Sequence, residues 1–89
     1  MRNLPIEQLS ELKAGENAII KQLHGGREFT NRIAALGFTP GTRITVLQNF
    51  GSGPVIIGVR DTRVALGRGE AIKILVIVEN SEQAGEAYP

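Results

Sequence analysis

From residue 43 to residue 79 the apolar residues recur with a period of two, in short runs broken by glycine-rich turns. Ile44 and Val46 share one face, followed by Val55, Ile57 and Val59, by Val64 and Leu66, and by Ile72, Ile74, Val76 and Val78. A pleated strand sends alternate side chains to opposite faces. The pattern therefore predicts half-buried strands and excludes a helical bundle for this half of the chain. In 43–50, Phe50 joins the core face with Ile44 and Val46, while Arg43, Thr45 and Asn49 take the other. Gly51-Ser52-Gly53-Pro54 reads as a loop, Arg60-Asp61-Thr62-Arg63 as a tight hairpin connection, and Gly67-Arg68-Gly69-Glu70-Ala71 as a short excursion. In the last run Leu75 and Ile77 alternate with the core set and so face outward.

The first half is read differently. Pro5 is placed to open a single helical turn, where its missing N–H costs nothing, and Gly15 ends that segment. Residues 17–23 read as a strand, broken by Gly25-Gly26. Arg27 to Leu36 reads as a helix, because Phe29, Ile33 and Leu36 recur at helical spacing. Gly37 stands where a helix takes a left-handed cap, and Phe38 can fold back on the last turn. Thr39-Pro40-Gly41-Thr42 has the signature of a type II turn. About five short strands with one inserted helix predict a mainly β fold, a small closed or partly open barrel. Residues 1–79 form one domain on this reading. Residues 80–89 have the composition of a disordered end, and truncation after Glu79 is expected to leave folding intact.

Composition narrows function chiefly by exclusion. The 89 residues contain no Cys and one His. Disulfides, thiolate zinc sites and Cys nucleophiles are excluded, and no convergent acid, base and nucleophile can be named. The chain is not expected to be an enzyme. Net charge is +1; the tail holds Glu82 and Glu86 and no base. This mild balance falls short of a dedicated nucleic-acid binder, and Phe29, Phe38 and Phe50 read as core rather than as stacking platforms. A nucleic-acid-binding barrel is the alternative reading. The longest apolar run, Ile74-Leu75-Val76-Ile77-Val78, is far shorter than the ~20 residues of a membrane span. No signal peptide is recognisable at the start, so the cytoplasm is the expected location.

The order of elements resembles the FeoA family, small proteins of bacterial ferrous iron uptake. The resemblance is carried by Leu9-x-x-Leu12-Lys13-x-Gly15-Glu16, a strand, Gly25-Gly26, and Arg32-Ile33-x-x-Leu36-Gly37-Phe38-x-Pro40-Gly41. It continues through Gly53-Pro54-Val55 and Val64-Ala65-Leu66-x-x-x-Glu70-Ala71-x-x-Ile74-x-Val76. It implies an SH3-like β-barrel with a helix inserted after the first strand. It also implies a partner, the FeoB-type transporter with its cytosolic GTP-binding domain. Similar domains close iron-dependent repressors, but this chain has no room for their DNA-binding portion. Gly67 and Gly69 flank Arg68 where relatives are expected to be richer in Arg.

Three sets of residues are candidates for that role. His24 and Glu28 are the candidate ligands for Fe²⁺ or another transition metal, although two ligands are too few for a tight intrachain site and no cofactor is required. An exposed His24 and a Glu28 favoured by the positive end of the helix dipole explain both residues without a metal, and this is the preferred reading. Arg27 and Arg32 lie on the polar side of the helix as candidate partner contacts. An Arg could also serve phosphoryl chemistry on the transporter, with Arg43, Arg60, Arg63 and Arg68 as further choices. Leu75 and Ile77, apolar on an outward face, are the third set, unless the helix or the Leu4, Leu9 and Leu12 segment covers them.

Overall fold

The period-two runs become strands in a computed structural model, which describes residues 6–79. Pro5 and the 80–89 tail lie outside the described residues, but Ile6–Gln8, into which a helical turn from Pro5 would run, is extended and pairs as a strand with β6. Strands β1 (Ile6–Gln8), β2 (Asn17–Leu23), β3 (Arg43–Gln48), β4 (Val55–Val59), β5 (Thr62–Leu66) and β6 (Ile74–Glu79) form a single antiparallel sheet in the order β1-β6-β2-β3-β4-β5. Helix α1 (Arg27–Ala35) is inserted between β2 and β3, and α2 (Arg68–Ile72) between β5 and β6. A 3₁₀ turn spans Leu9–Glu11 and packs on α2. The expected mainly β fold with an inserted helix is thus the fold observed, with one strand more than the pattern implied.

The alternating residues meet as predicted. Ile44, Val46, Val55, Ile57, Leu66, Ile74 and Val76 are buried with Leu9, Leu12, Ile20, Ile33 and Phe38. Helix α1 ends in a full Schellman motif. The Phe38 N–H bonds to the Ile33 carbonyl at 3.2 Å, the Gly37 N–H to the Ala34 carbonyl at 2.9 Å, and Gly37 has φ +104°. Phe38 and Ile33, both fully buried, make the apolar pairing that accompanies this motif. At the next turn Gly41 has φ +93° and the Thr42 N–H reaches the Thr39 carbonyl.

Four expectations are corrected. Phe50 is 79% exposed, because the β3–β4 register shifts between Val46 and Gln48. One extra residue in a strand flips every later side chain to the opposite face, so Asn49 turns inward instead. Leu36 is exposed, because it caps α1 and Phe38 takes the core position behind it. Ile72 is exposed, because Arg68–Ile72 is helical and the period of two starts only at Ile74. The hairpin is tighter than expected. Val59 pairs with Thr62, leaving Arg60-Asp61 as a two-residue turn with φ of 50° and 65°, the signature of a type I′ turn.

Candidate functional site

The outer face of the sheet carries a row of apolar side chains set by register. Ile6 pairs with Ile77, Ile77 with Ile19, and Ile19 with Arg43. Leu75 lies beside this row on the same face of β6. Leu75, Ile77 and Ile19 are half-buried, and Ile6 is exposed. The structure therefore joins the two predicted apolar residues to Ile6 and Ile19, which sequence reasoning did not single out. The missing signal was β1: three residues that stand only by pairing with β6 leave almost no pattern. Because β1 and β2 flank β6, its backbone is fully engaged. The free edges of the sheet are β1 and β5.

The other predicted residues sit elsewhere. Arg32 donates to Glu70 at 2.7 Å and lies 5.8 Å from the Phe29 ring centroid, with Lys73 on the same ring at 5.1 Å. Its guanidinium ties α1 to α2. Arg27, in the first turn of α1, is exposed and enters no ion pair among the described residues. No hydrogen bond or ion pair connects these two arginines with Leu75 or Ile77. His24 follows β2, with its backbone N–H on the Lys73 carbonyl at 2.7 Å, and Glu28 is exposed in the first turn of α1. Because α1 begins at Arg27, the pair is not held at helical i, i+4 spacing. No group of three or more His, Cys, Asp or Glu side chains suited to a metal occurs among the described residues. Arg68 is structural: its guanidinium bonds to the Ser10 carbonyl and to Asn49 Oδ1.

Among the described residues, Glu70 is the carboxyl whose surroundings clearly shift it. The Gly67 backbone N–H, bonded to Oε1 at 3.0 Å, and then Arg32 hold it below the usual carboxylate range. A carboxyl depressed by folding adds stability above its unfolded value, and that stability is lost as pH falls through the folded value. Glu70→Gln keeps an acceptor for Gly67 but removes the charge. It is expected to cost about 0.5–1 kcal/mol at neutral pH. The gap from the parent should close below the carboxylate range. Urea melts of both proteins across pH check this.

The family model described as FeoA domain matches residues 7–78. A relative from Methanocaldococcus jannaschii, named "Putative Fe(2+) transport protein A", is 37% identical over 78 residues, covering 88% of this chain and 92% of that protein. An "Fe(2+) transport protein A/Fe(2+) transporter FeoB fusion protein" from Porphyromonas gingivalis is 40% identical over 70 residues, covering 78% of this chain and 8% of that protein. Among solved structures, an iron uptake regulatory protein (FeoA) superposes with a TM-score of 0.81 at 33% identity, covering 84% of this chain and all of that one. The zinc complex of Stenotrophomonas maltophilia FeoA, described as an SH3 domain protein, superposes at 0.65 with 29% identity, covering 80% and 87%. No helix among the described residues is long and apolar enough to cross a membrane. With its SH3-like sheet and a family match across nearly the whole chain, this protein belongs to the FeoA family of ferrous iron transport proteins.

Proposed function

We propose that this protein is a noncatalytic accessory of ferrous iron transport that docks on the cytosolic side of a FeoB-type transporter. The observation that carries the reading is the Porphyromonas gingivalis relative, in which an FeoA-like segment and FeoB share one polypeptide. Fusion holds two modules at high effective concentration, which serves partners that act in contact. The apolar row of Ile6, Ile19, Leu75 and Ile77 is the docking surface on this reading. It is framed by Arg43 and Glu79 and exposed enough at Ile6 to bury area against a partner. Arg27, exposed on α1 and apart from that row, is a separate candidate contact. Docking changes transport only if affinity differs between two states of the transporter, so the regulated step is a population shift. His24 and Glu28 contribute at most two ligands, so any Fe²⁺ held there passes through weakly or shares ligands with the partner.

The test is an amide NMR titration of the labelled protein with the cognate transporter in nanodiscs, nucleotide bound. Resonances of β1, β2 and β6 on the outer face are expected to broaden or move. Ile77→Glu is expected to weaken binding at least tenfold with little change in melting temperature, since Ile77 lies outside the core. An unperturbed spectrum at saturating transporter overturns the reading.

A further inference from the structure

A second surface adjoins that apolar row on the same outer face of the sheet, with Arg43 common to both. An open cleft of about 460 Å³ runs over β3, β4 and β5, with Arg43, Arg60 and Arg63 around it and Leu47 as an apolar wall. Its floor is Gly58, which sits in register between Thr45 and Arg63, one strand in from the β5 edge of the sheet. A glycine inside a central strand weakens the strand and leaves room for another backbone to approach. Here the Leu47 side chain leans over the glycine, its nearest atom 3.4 Å from where a Cβ would stand, so the missing Cβ leaves a shallow floor walled by Leu47.

Charge and conformation single out the same cleft. Three guanidinium groups surround it against the one carboxylate of Asp61. Arg43 also bonds to Glu79 at 2.9 Å, yet its side chain stays 70% exposed; Arg60 and Arg63 are in no ion pair among the described residues. Arg60 has φ +50° in a turn where Asn or Gly would be relaxed. Its stem lies against Gly37, and its nearest polar contact is Thr42 Oγ1 at 3.4 Å. A charged side chain held in a strained position with its head unpaired points to a contact yet to be made.

We infer that this cleft binds an extended acidic segment of a partner protein, its backbone laid over Gly58 and its carboxylates taken by Arg60 and Arg63. The guanidinium fork matches a carboxylate in two parallel hydrogen bonds. Arginines on neighbouring elements meet carboxylates on alternate residues of an extended chain. Leu47 covers one apolar side chain between them.

The full-length labelled protein is titrated with a capped peptide alternating Glu with Ala, with the matched Gln–Ala peptide, and with inorganic phosphate. The Glu peptide is expected to move the Gly58, Thr45 and Arg63 amides saturably and at least about tenfold more tightly than the Gln peptide. Two variants separate binding from folding. Arg60→Asn relaxes the turn, so it should hold or raise the melting temperature while weakening the peptide several-fold. Gly58→Val fills the floor; a Cβ there comes no nearer than 3.4 Å to Leu47, and Val suits a strand. It should fold and lose the peptide. Equal binding of the Gln peptide, or indifference to Arg60→Asn and Gly58→Val, overturns the proposal. Phosphate reproducing the same shifts at similar strength would make the cleft a simple oxyanion site and overturn it. Movement of Gly58 and Arg63 in the Glu82→Gln/Glu86→Gln variant before any peptide is added would assign the cleft to the chain's own acidic tail, and equally overturn it.

Discussion

Asn49→Ala is expected to lower the urea midpoint sharply, with a loss of about 2–4 kcal/mol and an unchanged m-value. The Asn49 amide is fully used. Nδ2 donates to the Ser10 carbonyl at 3.1 Å and the Leu12 carbonyl at 2.6 Å, while Oδ1 accepts the Gly51 N–H at 3.0 Å and Arg68 Nη2 at 2.7 Å. These four bonds join the 3₁₀ turn, the end of β3 and the start of α2. They close the part of the barrel where β1 and β5 do not pair. Truncation strands the Leu12 carbonyl, leaves the Ser10 carbonyl with Arg68 Nη1 alone, returns the exposed Gly51 N–H to water, and removes the best partner of a half-buried guanidinium whose Nε already lacks one. An unmet buried group costs more than the bond itself contributed. A domain of this size holds only about 5–10 kcal/mol in total. Asn49→Asp makes the argument specific. It keeps the acceptor for Gly51 and Arg68 and improves the Arg68 pairing, but aims carboxylate lone pairs at the Ser10 and Leu12 carbonyls. It should be destabilised as much as the Ala variant. A loss below about 1 kcal/mol for Asn49→Ala would mean that water takes over the four partners.

Asn49 also shows where the sequence stopped being legible. Periodicity identified four of the strands to within a residue or two, and helix α1 with its glycine cap, because each is a local rule written in side-chain type. It failed at Leu47, where the bulge adds one residue and exchanges the roles of Asn49 and Phe50. Nothing in Val46-Leu47-Gln48 announces a bulge, since it is set by pairing with β4. Helix α2 was hidden by Gly67 and Gly69, poor helix formers. It stands because Glu70 caps the Gly67 N–H and Ala71 packs into the core. Strand β1 had no pattern of its own. The functional surfaces depended on the same long-range information. Leu75 and Ile77 were visible as apolar residues out of phase, but their neighbours Ile6 and Ile19 are brought in only by register. Arg43, Arg60 and Arg63 were visible as charges, and only the pairing of β3, β4 and β5 puts them around Gly58.

Gly37→Val tests the junction at which the fold and that cleft meet. At φ +104° a β-branched residue is strained by about 1–2 kcal/mol. An added Cβ would lie 3.4 Å from Val59 Cγ2 and from Arg60 Cδ, an ordinary contact by itself, but the two γ-methyls of Val extend beyond it toward those same groups. Val59 is buried in the core and Arg60 is held by its turn, so neither yields freely. The expected loss is about 2–3 kcal/mol, from the backbone and the crowding together. Gly37→Ala keeps most of the φ penalty and loses the γ-methyl crowding, so it should cost roughly 1–2 kcal/mol. Adding Arg60→Asn tells the two contributions apart. If the Arg60 stem is what Gly37 accommodates, Gly37→Val costs less in the Arg60→Asn background than in the parent, a coupling of about 0.5–1 kcal/mol between contacting residues. Strict additivity would show that the cost is all backbone and that Arg60 moves aside freely. A Gly37→Val protein as stable as the parent would remove the Schellman cap from the account of how α1 ends.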